Sequence, residues 1–144
     1  MQLSPKGLNL LKQFEGCKLK AYQDQKKIWT IGYGTTHIND KPITKGQTIT
    51  QQEADKYLLE YIELDEMRIT HDLPDLTQNQ FDAIICLIYN IGYSAFIHSK
   101  LFKAIKNNTA IDYNWLSWNH VNKQVNKGLT NRRNAELKLF KGIE

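Results

Sequence analysis

The segment from Phe81 to Ile91 most constrains the fold, because a helix drawn through it is apolar around nearly its whole circumference. Apolar side chains recur at helical spacing and also fill the positions between: Phe81, Ile84, Ile85, Cys86, Leu87, Ile88 and Ile91. Such a helix belongs in the middle of a core. Thr77-x-x-Gln80 just before it is a capping box that opens the helix, and Gly92 ends it. We therefore expect a mainly helical body that packs around this segment.

Further helices are predicted on both sides of the central one. Ser4-Pro5 is a helix start, because serine caps the first turn and proline tolerates the first helical position. Thr50-x-x-Glu53 is another capping box and opens a helix expected to run to about residue 68. The side chains expected to pack from that helix are Tyr57, Leu58, Tyr61, Ile62 and Leu64. Shorter helices are predicted over about 99–107, 110–120 and 131–141, the last of them opened by Thr130.

The region from Ala21 to Ile43 has a different pattern. Apolar and β-branched residues alternate there with turn formers: Asp24-Gln25-Lys26-Lys27, Gly32, Gly34 and Asn39-Asp40. This pattern predicts a small antiparallel sheet of two or three short strands. The fold class is therefore α+β in a single domain, with a β-lobe at about 17–48 and a helical lobe at about 50–144 that includes the N-terminal helix. We expect a cleft between the lobes.

Composition limits the function more weakly. The 144 residues carry a net charge of +4 and a sequence pI of about 9.0, which suits either an anionic partner or solubility alone. No stretch approaches the ~20 apolar residues of a membrane span, and the first residues lack a secretion signal, so we expect synthesis in the cytoplasm. Cys17, Cys86 and the four histidines have no ligand or disulfide-scaffold spacing. No metal or other cofactor is expected.

Three residues carry the candidate chemistry. Glu15, Asp24 and Thr30 read Glu-x8-Asp-x5-Thr, and Glu15 follows Leu8 and Leu11 on one face of the first helix. Gly16 is a plausible helix end, where the helix dipole disfavours a negative charge. Two carboxylates and a hydroxyl that can hold water are the parts needed to hydrolyse a glycosidic bond. Each residue also has an ordinary interpretation, as a solvated glutamate, a turn aspartate and a strand threonine.

The motifs around these residues resemble the phage-type lysozymes, the endolysins that cut bacterial peptidoglycan. The resemblance begins with Phe14-Glu15-Gly16, Ala21-Tyr22, Asp24 and Thr30-Ile31-Gly32-Tyr33-Gly34. It continues through Ile49-Thr50-x-x-x-Ala54 and through Asn90-Ile91-Gly92, Phe96, Ser99 and Leu101. It ends in Gly128-Leu129-x-x-Arg132-Arg133-x-Ala135-Glu136-x-x-Leu139-Phe140. Several ordered motifs across almost the whole chain make chance similarity a poor explanation.

The resemblance implies a lysozyme-like fold and a role for each matching residue. Glu15 is the general acid, Asp24 the second carboxylate, and Thr30 the residue that holds the attacking water, so we expect inversion at the anomeric carbon. Thr36, Tyr89 and Ser99 match positions that line the sugar cleft. The implied reaction is hydrolysis of the β-1,4 bond between N-acetylmuramic acid and N-acetylglucosamine. Two departures stand out: Thr35 occupies the place of a common histidine, and Cys17 that of an apolar residue.

The resemblance also implies partners and a location. We expect a monomer that acts on peptidoglycan, inserts in no membrane, and stays in the host cytoplasm until a holin gives it access to the wall. Two other classes of function fit the sequence less well. A nucleic-acid-binding helical domain is disfavoured because the charges are dispersed and no reading helix is visible. A wall-binding module without activity would be expected to lack one member of the Glu15, Asp24 and Thr30 set. Thr30 with Asp24 favours hydrolysis over lytic transglycosylation, which needs no bound water, and analysis of the products of purified peptidoglycan distinguishes the two reactions.

Overall fold

The computed structural model describes residues 1–143, which form helices and short antiparallel strand pairs. The helices are α1 (Pro5–Glu15), α2 (Gln51–Asp72), α3 (Gln78–Ile91), α4 (Tyr93–Ile97), α5 (Lys100–Lys106), α6 (Asp112–Leu116) and α7 (Lys127–Lys141). The strands are β1 (Lys18–Gln23), β2 (Trp29–Gly32), β3 (His37–Ile38), β4 (Lys41–Pro42), β5 (His120–Val121) and β6 (Gln124–Val125). Consecutive strands pair with each other, which gives three two-stranded sheets in residues 1–143. The α+β class predicted from the sequence is confirmed.

The backbone groups into two compact units. The hairpin unit comprises Asn9–Leu64, and the helical unit comprises residues 1–8 together with those from residue 65 onward. The divisions therefore fall inside α1 and α2, whereas the sequence analysis placed the ends of the β-lobe near residues 17 and 48. The single-domain assignment stays a prediction.

The core of the helical unit is α3, as its sequence requires. All residues from Phe81 to Ile88 are buried, and α3 packs against α7. Both halves of the Thr77–Gln80 capping box form at its start, and the Gly92 N–H bonds the Ile88 carbonyl at its end. The central prediction of the sequence analysis is thus confirmed.

A buried ionic cluster fastens α7 in this core. The Glu136 carboxylate accepts from Arg132 Nε at 3.1 Å and lies 2.9 Å from Arg133 Nε. Arg132 also donates to the Cys86 carbonyl at 2.9 Å, which links α7 to α3. Burial raises the pKa of Glu136, and the two guanidinium groups oppose that rise. Buried charges of this kind are kept only when they are paired and hydrogen-bonded.

The start of α1 is fixed on α3 by Asp82, which is fully buried. Its carboxylate accepts from the Ser4 N–H at 3.0 Å and from the Ser4 hydroxyl. Ser4 caps α1 in turn, because its Oγ accepts from the Gly7 N–H at 3.2 Å. A Cβ at Gly7 would stand 2.6 Å from Asp82 Cγ, so only glycine permits this approach. The predicted helix start at Ser4-Pro5 is confirmed.

The sequence predictions for α2 need two corrections. The Thr50–Glu53 capping box forms, but the helix continues to Asp72 instead of about residue 68. Leu58 and Ile62 are buried as expected, whereas Tyr61 and Leu64 are 68% and 53% exposed. The buried stripe repeats at about four residues, so positions just beside it turn toward solvent.

The prediction for the C-terminal region was wrong in detail. The helix expected over 110–120 ends at Leu116, and β5 and β6 form a hairpin that was not predicted. Helix α7 begins at Lys127, and its cap is Asn126, whose Oδ1 accepts from the Leu129 N–H at 2.9 Å; it is not Thr130. Helix α4 was not predicted either.

Strands β1 and β2 form the hairpin that follows α1, and the turn between them begins at Asp24. The Lys27 N–H bonds the Asp24 carbonyl at 2.9 Å, and Lys27 then adopts a positive φ of 63°. A three-residue loop built on this turn and ending in a left-handed residue is a common hairpin connection, usually with glycine at the last position. Lysine there is strained, since its Cβ crowds the backbone.

We predict that Lys27→Gly stabilises the hairpin unit. Relief of the left-handed strain outweighs the added freedom of glycine in the unfolded chain, so the free energy of unfolding should rise by about 0.5–1 kcal/mol. Lys26→Gly is the matched control, since Lys26 is in the same turn without a positive φ, and it should lower stability. Denaturant unfolding of both variants tests the prediction, which fails if Lys27→Gly is as destabilising as Lys26→Gly.

Candidate active site

Glu15 is the last residue of α1, and the next residue explains why the helix ends there. Gly16 adopts a φ of 65°, and its N–H bonds the Lys12 carbonyl at 3.1 Å. This single bond to the last turn is a common helix stop that favours glycine. The side chain of Glu15 is half-buried and lies at the carboxyl end of the helix. The predicted position of Glu15 at a helix end is confirmed.

A network of polar side chains supports the last turn of α1 from α2. Lys12 Nζ lies 2.9 Å from Asp55 Oδ2, and Gln51 Nε2 donates to Asp55 Oδ1 at 2.9 Å. Gln51 also donates to the hydroxyl of Tyr33 at 3.0 Å. Burial would raise the pKa of Asp55, but the hydrogen bonds from Lys12 and Gln51 outweigh it and lower that pKa. The network ties the helix that bears Glu15 to Tyr33, one residue beyond β2.

Asp24 uses one oxygen of its carboxylate to hold the hairpin turn. Its Oδ1 accepts from the backbone N–H groups of Lys26 at 2.8 Å and Ile28 at 2.9 Å. The Asp24 N–H bonds the Ile28 carbonyl at 3.0 Å, so the backbone pairing continues to this point. Within residues 1–143, Oδ2 makes no hydrogen bond. The turn interpretation of Asp24 is therefore correct, and the turn uses only one of the two carboxylate oxygens.

Thr30 lies on β2 with its side chain buried. Its hydroxyl donates to the Ile28 carbonyl at 2.9 Å. Because its hydrogen is used in this way, the oxygen remains an acceptor. Ile28 also donates its N–H to Asp24 Oδ1. The side chains of Asp24 and Thr30 therefore bond the N–H and the carbonyl of the same residue. The structure thus brings Asp24 and Thr30 together at the turn end of the hairpin.

Tyr22 joins this group, although the sequence analysis gave it no role. It is the direct cross-strand partner of Thr30, so the two side chains share a face of the hairpin. Burial first, and then the charges of Asp24 and Glu15, raise the pKa of Tyr22. The phenol therefore lies within electrostatic reach of both candidate carboxylates. The available signal was its position two residues before Asp24, on the same side of the strand.

The three residues predicted to contact sugar are separated along the fold. Thr36 is in the hairpin unit, and its hydroxyl lies 3.0 Å from His37 Nδ1. Tyr89 is half-buried on α3 in the helical unit. Ser99 caps α5, since its Oγ accepts from the Phe102 N–H at 3.1 Å and donates to the Phe96 carbonyl at 2.5 Å. Their contacts with substrate stay predictions.

The two departures from the family pattern have simple local surroundings. Thr35 pairs with Ile31 through two backbone hydrogen bonds of 2.8 Å, so its backbone closes the bend after β2. Cys17 is half-buried and Cys86 is buried, and neither forms a disulfide. The Cys86 thiol donates to the Gly7 carbonyl at 3.5 Å, which fits a small core residue with a weak donor.

Two cavities are found in the helical unit. One of about 670 Å³ is lined by residues of 72–80, 104–111 and Phe140, and one of about 720 Å³ by residues of 90–91 and 117–129. Neither is lined by Glu15, Asp24 or Thr30.

No helix within residues 1–143 has the length and apolar character to cross a membrane. In the same range, no three His, Cys, Asp or Glu side chains are grouped as a metal site.

Comparison with known proteins shows the family of the chain. The sequence pattern of the phage lysozyme family matches residues 12–136. The endolysin of Acyrthosiphon pisum secondary endosymbiont phage 1 is 38% identical, with 97% of this chain and 98% of that protein covered. The endolysin of Salmonella phage P22 is also 38% identical, with the same coverage. A crystal structure of a P22 lysozyme mutant superposes with a TM-score of 0.88 at 36% identity, over 98% of this chain and 99% of that one. The chain belongs to the phage lysozyme family.

Proposed function

We propose that the chain is an endolysin, a glycoside hydrolase that cleaves the β-1,4 bond between N-acetylmuramic acid and N-acetylglucosamine in bacterial peptidoglycan. The observation that carries the proposal is the pair formed by Asp24 and Thr30. One carboxylate oxygen is engaged in the turn and the other is not, while the buried hydroxyl beside it can only accept. Family membership accounts for nearly the whole chain, so the nucleic-acid alternative is set aside.

The pair is suited to holding a water molecule. A water that donates one hydrogen to Thr30 Oγ1 and the other to Asp24 Oδ2 has a lone pair left for attack on the anomeric carbon. Glu15 donates its proton to the glycosidic oxygen as that bond breaks, and Asp24 takes the proton from the attacking water. The negative charge on Asp24 also favours the oxocarbenium-like transition state. Protons then exchange with solvent to restore the starting state.

The first test concerns the two carboxylates. Glu15→Gln and Asp24→Asn should each lower turnover by at least about 10²-fold, since each removes a proton donor or acceptor while keeping the shape. Asp24→Asn should also leave stability nearly unchanged, because its amide oxygen can accept the Lys26 and Ile28 bonds. Asp24→Ala should be inactive and about 1 kcal/mol less stable, since it removes the turn acceptor as well. Turnover on purified peptidoglycan and denaturant unfolding separate the two effects. Near-normal turnover by a folded Glu15→Gln or Asp24→Asn protein would contradict the assignment.

Stereochemistry provides the second test. If water attacks directly, the reaction inverts the anomeric carbon, and the first product seen by proton NMR carries the α-anomer. Inversion also predicts carboxyl groups roughly 6.5–9.5 Å apart, against about 5 Å in retaining enzymes. A trapped sugar ester on Asp24, or a β-anomer as first product, would establish retention. Anhydro-sugar ends in place of reducing ends would establish lytic transglycosylation.

Delivery is the third test. The endolysin resemblance supports an enzyme that folds as a monomer in the host cytoplasm and reaches the wall when a holin opens the inner membrane. Expressed alone in a Gram-negative host, the protein should leave cells intact, and an added membrane-permeabilising agent should then lyse them. Glu15→Gln is the control and should not lyse permeabilised cells. Lysis by the unaltered protein without permeabilisation would show that it crosses the membrane by itself.

A further inference from the structure

Tyr22 has a hydroxyl that the folded chain leaves without a hydrogen-bond partner among residues 1–143. Its side chain is half-buried. Elsewhere, the hydroxyl of Tyr33 accepts from Gln51 at 3.0 Å, and that of Tyr93 donates to Asp72 at 2.5 Å. Partly buried tyrosines usually find such partners. An unengaged phenol in this setting is suited to an external ligand.

The position of Tyr22 on β1 puts its side chain on the same face of the hairpin as Asp24 and Thr30. Its Cα pairs directly with that of Thr30, and the next pair, Gln23 with Trp29, leads to Asp24. Side chains two residues apart on a strand share a face, so Tyr22, Asp24 and Thr30 share one face of the hairpin. A register shift between Lys18 and Tyr22 marks a bulge, a feature that re-aims side chains. Tyr22 therefore lies on the hairpin face that bears Asp24 and Thr30, the two residues assigned to the attacking water.

The Tyr22 hydroxyl is a hydrogen-bond donor at neutral pH, as any tyrosine with an ordinary pKa is. Burial first, and then the charges of Asp24 and Glu15, raise the pKa of Tyr22 further. Lys18 Nζ lies 5.3 Å from the centroid of the ring, over the aromatic face and not at the hydroxyl. Since Tyr22 shares a hairpin face with Asp24 and Thr30, a sugar bound between Glu15 and Asp24 has this donor beside it.

We propose that the hydroxyl of Tyr22 donates a hydrogen bond to an oxygen of the sugar whose anomeric carbon is attacked. This role rests on the proposed function, because that function puts this sugar between Glu15 and Asp24. The phenol binds and orients the ring; it transfers no proton. Its hydrogen bond goes to the substrate and not to either carboxylate, since the hydroxyl bonds neither of them in the folded chain.

The test is Tyr22→Phe, which removes the hydroxyl and keeps the ring and its contact with Lys18. On soluble, uncrosslinked peptidoglycan fragments, kcat/KM should fall about tenfold, the usual effect of one lost neutral hydrogen bond. The thermal midpoint and the pH dependence of kcat/KM should not change. Tyr57→Phe is the matched control: Tyr57 is half-buried in the same unit, and its hydroxyl lies 3.5 Å from Glu53, so activity should stay at the level of the unaltered protein.

Binding measurements separate this proposal from the one on which it rests. Glu15→Gln should bind the same fragments without cleaving them, and adding Tyr22→Phe to it should weaken that binding about tenfold. Unchanged kcat/KM and binding in Tyr22→Phe, with Glu15→Gln inactive, would overturn the role of Tyr22 alone. A shifted pH profile with unaltered binding would overturn it too, because the phenol would then act through a carboxylate. An active Glu15→Gln would instead overturn the catalytic assignment.

Discussion

The hairpin and the candidate site both depend on the hydrogen bonds that the Asp24 carboxylate accepts from the turn. Two backbone N–H groups, from Lys26 and Ile28, converge on its Oδ1 and fix the direction of the whole side chain. The second oxygen is then oriented without any further contact. A site whose groups are oriented before the substrate arrives needs no reorganisation during the reaction. This preorganisation is a major source of catalysis. Here that orientation comes from a turn the hairpin needs anyway.

The side chain of Thr30 is likewise oriented by the backbone of the turn. Its hydroxyl hydrogen is directed at the Ile28 carbonyl, so the position of its lone pairs is set by the backbone of the turn. A water held by Asp24 and Thr30 would therefore be placed by local structure alone. Glu15 comes from a different element, the end of α1, and its distance from the hairpin depends on longer-range contacts. These longer-range contacts tie the last turn of α1 to α2 and to the residue after β2. They join Lys12 to Asp55, and Gln51 to both Asp55 and Tyr33.

The sequence predicted best where one local rule was enough. The burial of Phe81 to Ile88, the two capping boxes and the stop at Gly16 follow from periodicity or from single side-chain bonds. The β5–β6 hairpin was missed because its strands have two residues each and its turn has Asn122-Lys123 at positive φ values of 50° and 67°, without the usual glycine. Gly128 concealed the start of α7, since glycine is a poor helix residue. The separation of the Glu15 and Asp24 carboxylates is set by tertiary contacts that no spacing along the chain encodes.

Tyr22 shows why a proposed site residue can be invisible in one sequence. A tyrosine in a strand satisfies ordinary β-propensity, so nothing in its neighbourhood calls for a second explanation. Its significance arises from two placements that only the fold supplies: the cross-strand pairing with Thr30 and the reach of both carboxylate charges to its hydroxyl. Asp24 was visible because aspartate at a turn, a glutamate at a helix end and a fixed spacing form a pattern. A sequence therefore indicates the charged residues of such a site, here Glu15 and Asp24, more readily than a neutral hydrogen-bond donor such as Tyr22.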